Sequence, residues 1–148
     1  MELLIALMII GVIATLGFKG YQRYADRARY TKAYADMKQV SEGLEQYYMA
    51  NGTYPDLGSW EAMVDSNSPL VKKNYISVNL SPLDPWKQPF EGKAGKGKYE
   101  LKCAGDPNDL ESHPPIIWKE GGNIIGGPAG SGKGDAKPAA APAGEPPK

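Results

Sequence analysis

From Leu3 to Phe18 every residue is uncharged, and only Thr15, Gly11 and Gly17 break a run of apolar side chains. A helix made from it has no polar face, so it must be surrounded by lipid or by similar helices. The pattern changes further on. From Tyr30, the positions Ala33, Met37, Val40, Leu44 and Tyr47 recur at spacings of three and four, which is one face of a helix whose other side is charged. No proline precedes Pro55 and Asn51-Gly52 supplies a stop, so the two patterns predict a single helix from about residue 2 to residue 50. At ~1.5 Å per residue it would be roughly 75 Å long. Gly11, Gly17, Gly20 and Gly43 are its soft points, and a bend is cheapest around Gly17 and Gly20, since each glycine costs about 1 kcal/mol relative to alanine.

Beyond the helix, Ser59 is placed to cap a short helix over Trp60 to Asp65, with Trp60, Met63 and Val64 on one side. Ile76, Val78 and Leu80 alternate with Ser77 and Asn79, and Tyr99, Leu101 and Cys103 alternate with Glu100 and Lys102, the period of half-buried strands. Ile116 to Lys119 is a third candidate. The short, glycine-rich connection from Gly92 to Gly97 favours antiparallel pairing. The expected class is α+β: a long N-terminal helix, apolar over 1–18 and amphipathic over 19–51, packed on a small antiparallel sheet within a domain of residues 52–121. After Gly121 the composition turns to Gly, Pro, Ala and Lys, so residues 122–148 read as a disordered tail.

Bulk composition narrows this picture. About 70 residues make a small core that benefits from packing on a long helix. Basic and acidic side chains both number 17, giving no overall case for nucleic acid, although Lys19, Arg23, Arg27, Arg29 and Lys32 locally outnumber Asp26 and Asp36. Cys103 has no second cysteine to pair with, and with His113 as the one histidine no structural zinc set can be built. The apolar run rises roughly 24 Å against a hydrocarbon core of ~30 Å, so a few apolar residues are expected before Met1. A secretory signal fits less well, because Glu2 precedes the run and Lys19, Gly20 and Tyr21 follow it in place of a basic start and a small-residue cleavage site. Taken literally, the basic cluster after Phe18 holds the C-terminal side in the cytoplasm; a basic leader before Met1 leaves a periplasmic domain open.

Few residues offer chemistry. Glu2 is a carboxylate at the end of an apolar helix, either lying in the headgroups near the positive end of its own helix or paired with a cation. Asp106-Pro-Asn-Asp-Leu-Glu111 gathers hard oxygen ligands of the type calcium uses, without the spacing of an EF-hand loop, and is equally an ordinary solvated turn. Gly127-Pro-Ala-Gly-Ser-Gly-Lys133 imitates most of a phosphate-binding loop but is followed by Gly134 where a Ser or Thr would hold magnesium. His113 has no Ser or Cys partner for nucleophilic catalysis, Trp86 beside Pro85 reads as core, and the helix tyrosines read as packing groups. A membrane-tethered enzyme would need a catalytic constellation, and none is present.

Three blocks carry a family resemblance. Glu2-Leu-Leu-Ile-Ala-Leu-Met-Ile-Ile-Gly-Val-Ile-Ala14 resembles the mature N-termini of type IV pilins and type II secretion pseudopilins. Tyr47-Tyr-Met-Ala-Asn-Gly-Thr-Tyr-Pro55 and Ser81-Pro-Leu-Asp-Pro-Trp-Lys-Gln-Pro-Phe90 are similar to the stretches of major pseudopilins that favour Asn-Gly-x-Tyr-Pro after the helix and Asp-Pro-Trp-Gly-x-Pro-Tyr before the sheet. The resemblance implies a pilin-like fold and a non-enzymatic filament subunit of the bacterial inner membrane, single-pass, with its domain in the periplasm. Leu3, Ile5, Ile9, Ile10, Val12, Ile13 and Leu16 would form the anchor, and Glu2 would pair with the N-terminal amine of a neighbouring copy. It further implies calcium at Asp106 and Asp109 in place of a disulfide. The implied partners are other copies of the chain, minor pseudopilins or pilins, an inner-membrane assembly platform, and a prepilin peptidase if a leader exists; the sequence as written offers that peptidase nothing to cut. A type IV pilin of a surface fibre is the neighbouring alternative.

Overall fold

The computed structural model describes residues 2–128, with side chains described for all of these except residue 2 and residues 16–20. A single helix, α1, spans Glu2–Asn51, as the joined patterns predict. It stops where Gly52 takes φ +75°, with the Gly52 N–H donating to the Tyr48 carbonyl at 2.7 Å; a glycine meets that left-handed requirement at no steric cost. Most of the predicted face buries as expected, with Tyr30, Ala33, Met37, Val40 and Leu44 forming one side of the core, while Tyr47 at its end is only partly buried.

Two short helices follow. α2 covers Trp60–Val64, and the Ser59 hydroxyl caps it by accepting from the Ala62 N–H at 3.2 Å. α3 covers Pro69–Lys72, with Ser68 as its cap and the proline at its first position. The sheet contains β1 (Glu91–Ala94), β2 (Tyr99–Cys103), β3 (Ile116–Lys119) and β4 (Asn123–Ile125), in that order and antiparallel throughout. Tyr99, Leu101 and Cys103 point inward with Ile116 and Trp118, so the alternation assigned to β2 and β3 holds.

Three expectations fail. The segment from Gly92 to Gly97 is not all connection, because Gly92 and Ala94 belong to β1 and pair with Leu101 and Tyr99. Residues 76–80 form no strand. Only Ile76 of the three apolar positions is buried, packed so closely on α1 that a Cβ on Gly43 would lie 2.3 Å from its Cγ2; Val78 faces solvent. Gln39 donates to the Ser77 hydroxyl at 2.8 Å, so the segment is held by the helix and not by a neighbouring strand. The domain also continues past Gly121, because Ile124 is buried and β4 pairs with β3 through Ile125. Part of the expected tail is thus sheet; residues 129–148, which include most of the phosphate-loop look-alike, lie outside the described residues.

Candidate functional site

The first quarter of α1 is bare. Leu3, Leu4, Ile5, Leu7, Met8, Ile9, Ile10, Val12 and Ile13 are each more than half exposed, and together they make a continuous apolar surface around the helix. Within this stretch the Thr15 hydroxyl donates back to the carbonyls of Gly11 (3.0 Å) and Val12 (2.8 Å), so it presents no unmet polar group to its surroundings. Among the described residues no helix is long and apolar enough to cross a membrane. Of the predicted anchor positions, Leu3, Ile5, Ile9, Ile10, Val12 and Ile13 are placed on this surface; the side chains of Leu16 and Glu2 lie outside the described residues.

At Tyr30 the environment changes. Its hydroxyl donates to the Pro114 carbonyl at 2.9 Å and accepts from the Gly127 N–H at 3.0 Å, fastening the loop before β3 and the segment after β4 to the same turn of helix. The Tyr30 ring meets His113 edge-on at 5.1 Å between centroids, with Trp86 at 6.4 Å.

The loop between β2 and β3 carries the two predicted calcium ligands on one turn. Asp106 is buried; its Oδ1 accepts from the Asn108 N–H at 2.9 Å, and its carbonyl accepts from the Asp109 N–H at 3.2 Å. Asp109 is half-exposed, and the Ser112 N–H at 3.1 Å from its Oδ1 holds its carboxyl below the usual range. Gly105, at φ +82°, lets the two arms of the loop touch, since a Cβ there would sit 2.5 Å from the His113 carbonyl. A buried carboxylate with no ion-pair partner among the described residues is the donor chemistry calcium takes, so the residues fit in type. His113 Nδ1 lies 3.8 Å from Asp109 Oδ2, but among the described residues no three Asp, Glu, His or Cys side chains are grouped to hold a metal, so carbonyl oxygens or water would complete a shell.

Sequence reasoning missed two carboxylates that organise the domain. Asp84, buried in the Asp-Pro-Trp turn, accepts from the N–H groups of Trp86 (2.9 Å) and Gln88 (2.7 Å) on Oδ1, while the Cys103 thiol lies 3.7 Å from Oδ2. Burial, and then the Asp84 charge, push that thiol up to about 11. Lys87 closes the turn at φ +66°, a conformation made for glycine. Glu45, on α1, accepts from the Gly121 N–H at 2.9 Å and from the Tyr54 hydroxyl at 3.2 Å; burial and this carboxylate push Tyr54 up to about 12. Both carboxylates brace the fold, and their partners are too distant in sequence, or too much part of the backbone, for spacing to reveal them.

The distinguishing part of this geometry is the bare apolar helix carried by a small sheet domain. Comparisons with known proteins identify the family. Residues 21–113 match the family model for the type II secretion system protein G. The type II secretion system core protein G of Pseudomonas aeruginosa is 29% identical over 111 residues, covering 70% of this chain and 78% of that protein. Its namesake from Escherichia coli K12 is 25% identical over 123 residues, covering 78% of this chain and 85% of that protein. The type IV major pilin protein PilE1 of Neisseria gonorrhoeae is 23% identical over 125 residues, 83% of this chain and 68% of that pilin. No solved structure matches. The long helix, the small antiparallel sheet and the match over residues 21–113 make this chain a member of the type II secretion system protein G family.

Proposed function

We propose that this chain is a structural, non-catalytic subunit of the filament used in type II protein secretion. The observation that carries the reading is the apolar first quarter of α1, which no other described residue covers. Apolar surface of this extent is stable only in a bilayer or against other helices, and transfer between the two keeps it out of water throughout. The subunit would wait in the inner membrane with its domain on the periplasmic side. An assembly platform would then lift it into a helix-packed fibre with other copies and minor subunits. Its resemblance to the gonococcal pilin keeps a surface fibre as the second reading.

Glu2 supplies the test. Its carboxylate would pair with a neighbour's N-terminal amine, and removing one member of a buried pair costs about 3–5 kcal/mol. Glu2→Ala is expected to leave the protein in the membrane fraction while cross-linked ladders of neighbouring copies disappear; a wild-type ladder from the variant would remove the pairing role. We also propose that calcium occupies the loop between β2 and β3, with Asp106 and Asp109 as ligands. The buried, cation-free carboxylate of Asp106 supports this.

A further inference from the structure

The turns of α1 between the apolar run and the domain carry a surface that neither the anchor nor the core uses. Tyr21 and Tyr24 are 70% and 75% exposed, and Arg23 and Arg27 are exposed beside them. The local cations are not equivalent. Arg29 is held by Asp26 at 3.0 Å and Lys32 by Asp36 at 3.7 Å, whereas Arg23 and Arg27 have no ion-pair partner among the described residues. Arg23 and Arg27 are four residues apart and share one face, which Lys19 continues in sequence. The same stripe runs upward into Tyr30 and Tyr34, which the domain covers, so among the described residues the two arginines sit just below the covered part of the helix and remain exposed.

Depth fits a lipid headgroup. If Phe18 marks the edge of the hydrocarbon, Tyr21 and Tyr24 stand roughly 4–9 Å above it and Arg23 and Arg27 roughly 7–14 Å, at ~1.5 Å per residue. Headgroup layers are about 5–8 Å deep. Helical side chains lean toward the N-terminus, here toward the membrane, so long arginines close the remaining distance by snorkelling. Exposed tyrosines at this level are the aromatic component of an interfacial belt.

We propose that Arg23 and Arg27, flanked by Tyr21 and Tyr24, form a collar that binds the phosphates of anionic phospholipids around the membrane-resident subunit. This rests on the reading of the apolar run as a membrane anchor. The guanidinium fork suits a phosphate, and basic residues at an anionic surface favour it by about fivefold each. The bound headgroups fix how far the helix stands out of the bilayer before it is lifted.

The test places the full chain in phosphatidylcholine bilayers and measures, by electron spin resonance, how strongly spin-labelled phosphatidylglycerol and spin-labelled phosphatidylcholine associate with it. The expected result is about threefold or greater preference for phosphatidylglycerol at low salt, shrinking as salt rises. Arg23→Gln/Arg27→Gln should bring the preference close to one, while Arg29→Gln, whose cation is already neutralised by Asp26, should keep it. Equal association of both lipids with the wild type, or a preference that survives the double substitution, would overturn the collar and leave the anchor standing. Absence of any protein-restricted lipid signal would overturn the anchor and the collar together.

Discussion

The two ends of α1 are one continuous helix and obey opposite rules. From Tyr30 to Leu44 the apolar residues keep to one stripe, and the chain's own sheet and short helices cover it. From Leu3 to Ile13 they occupy the whole circumference, and no other described residue covers them. Periodicity therefore tells where a helix will find its partner. A stripe is completed within the molecule, whereas an unbroken apolar cylinder needs lipid or other molecules. Glycine placement follows the same division: Gly43 permits close packing on Ile76, whereas Gly11 faces open space.

Equal truncations at the two ends should give unequal results. Leu44→Ala opens a cavity in a fully buried site and is expected to cost about 2–5 kcal/mol, seen as a melting point lowered by ten degrees or more. Ile9→Ala should leave the melting of the domain within about 0.5 kcal/mol of wild type while reducing fibre yield. A domain melt that falls as far for Ile9→Ala as for Leu44→Ala would erase the distinction. Calcium sharpens it. At a hundredfold excess over Kd the ion should stabilise the domain by about 2.7 kcal/mol without affecting membrane insertion. Asp106→Ala also removes the acceptor of the Asn108 N–H, so it should melt lower in chelator; the informative quantity is the calcium-dependent rise, which it should abolish. A melt indifferent to chelator in the wild type would dismiss the ion. The smallest effect belongs to Lys87, which holds a left-handed conformation where the pattern of major pseudopilins favours glycine. Lys87→Gly should raise the denaturant midpoint by about 0.5–1 kcal/mol equivalent, confined to the domain; a lowered midpoint would show that the lysine side chain contributes more than its backbone costs.

Much of this architecture is legible where large side chains repeat. Ala33, Met37, Val40 and Leu44 announce the buried face, Ser59 announces α2, and Tyr99, Leu101 and Cys103 announce β2. β1 was hidden because its inward positions are Gly92 and Ala94. A Cβ at residue 92 would lie 3.2 Å from the Leu101 side chain and 3.3 Å from the Trp60 backbone, so the close packing that makes the strand necessary also excludes the large residues that would reveal it. α3 carried a readable signal in Ser68-Pro69. Ile76, Val78 and Leu80 show the reverse error, an alternation with no neighbouring strand to pair with. Of the candidate site, the apolar cylinder and the loop carboxylates can be read from composition. The bracing roles of Asp84 and Glu45 cannot, because Asp84 is held mainly by backbone N–H groups that folding supplies, and Glu45 by the Tyr54 hydroxyl and the distant Gly121 N–H.

The hydrogen bond from Gly127 to Tyr30 closes the described part of the chain back onto the long helix. It ties the last described residues to the turn of α1 where the helix enters the domain, 22 residues and about 33 Å of helix before Gly52. A label inserted at Gly52, which is exposed and has open space around it, would leave that fastening undisturbed.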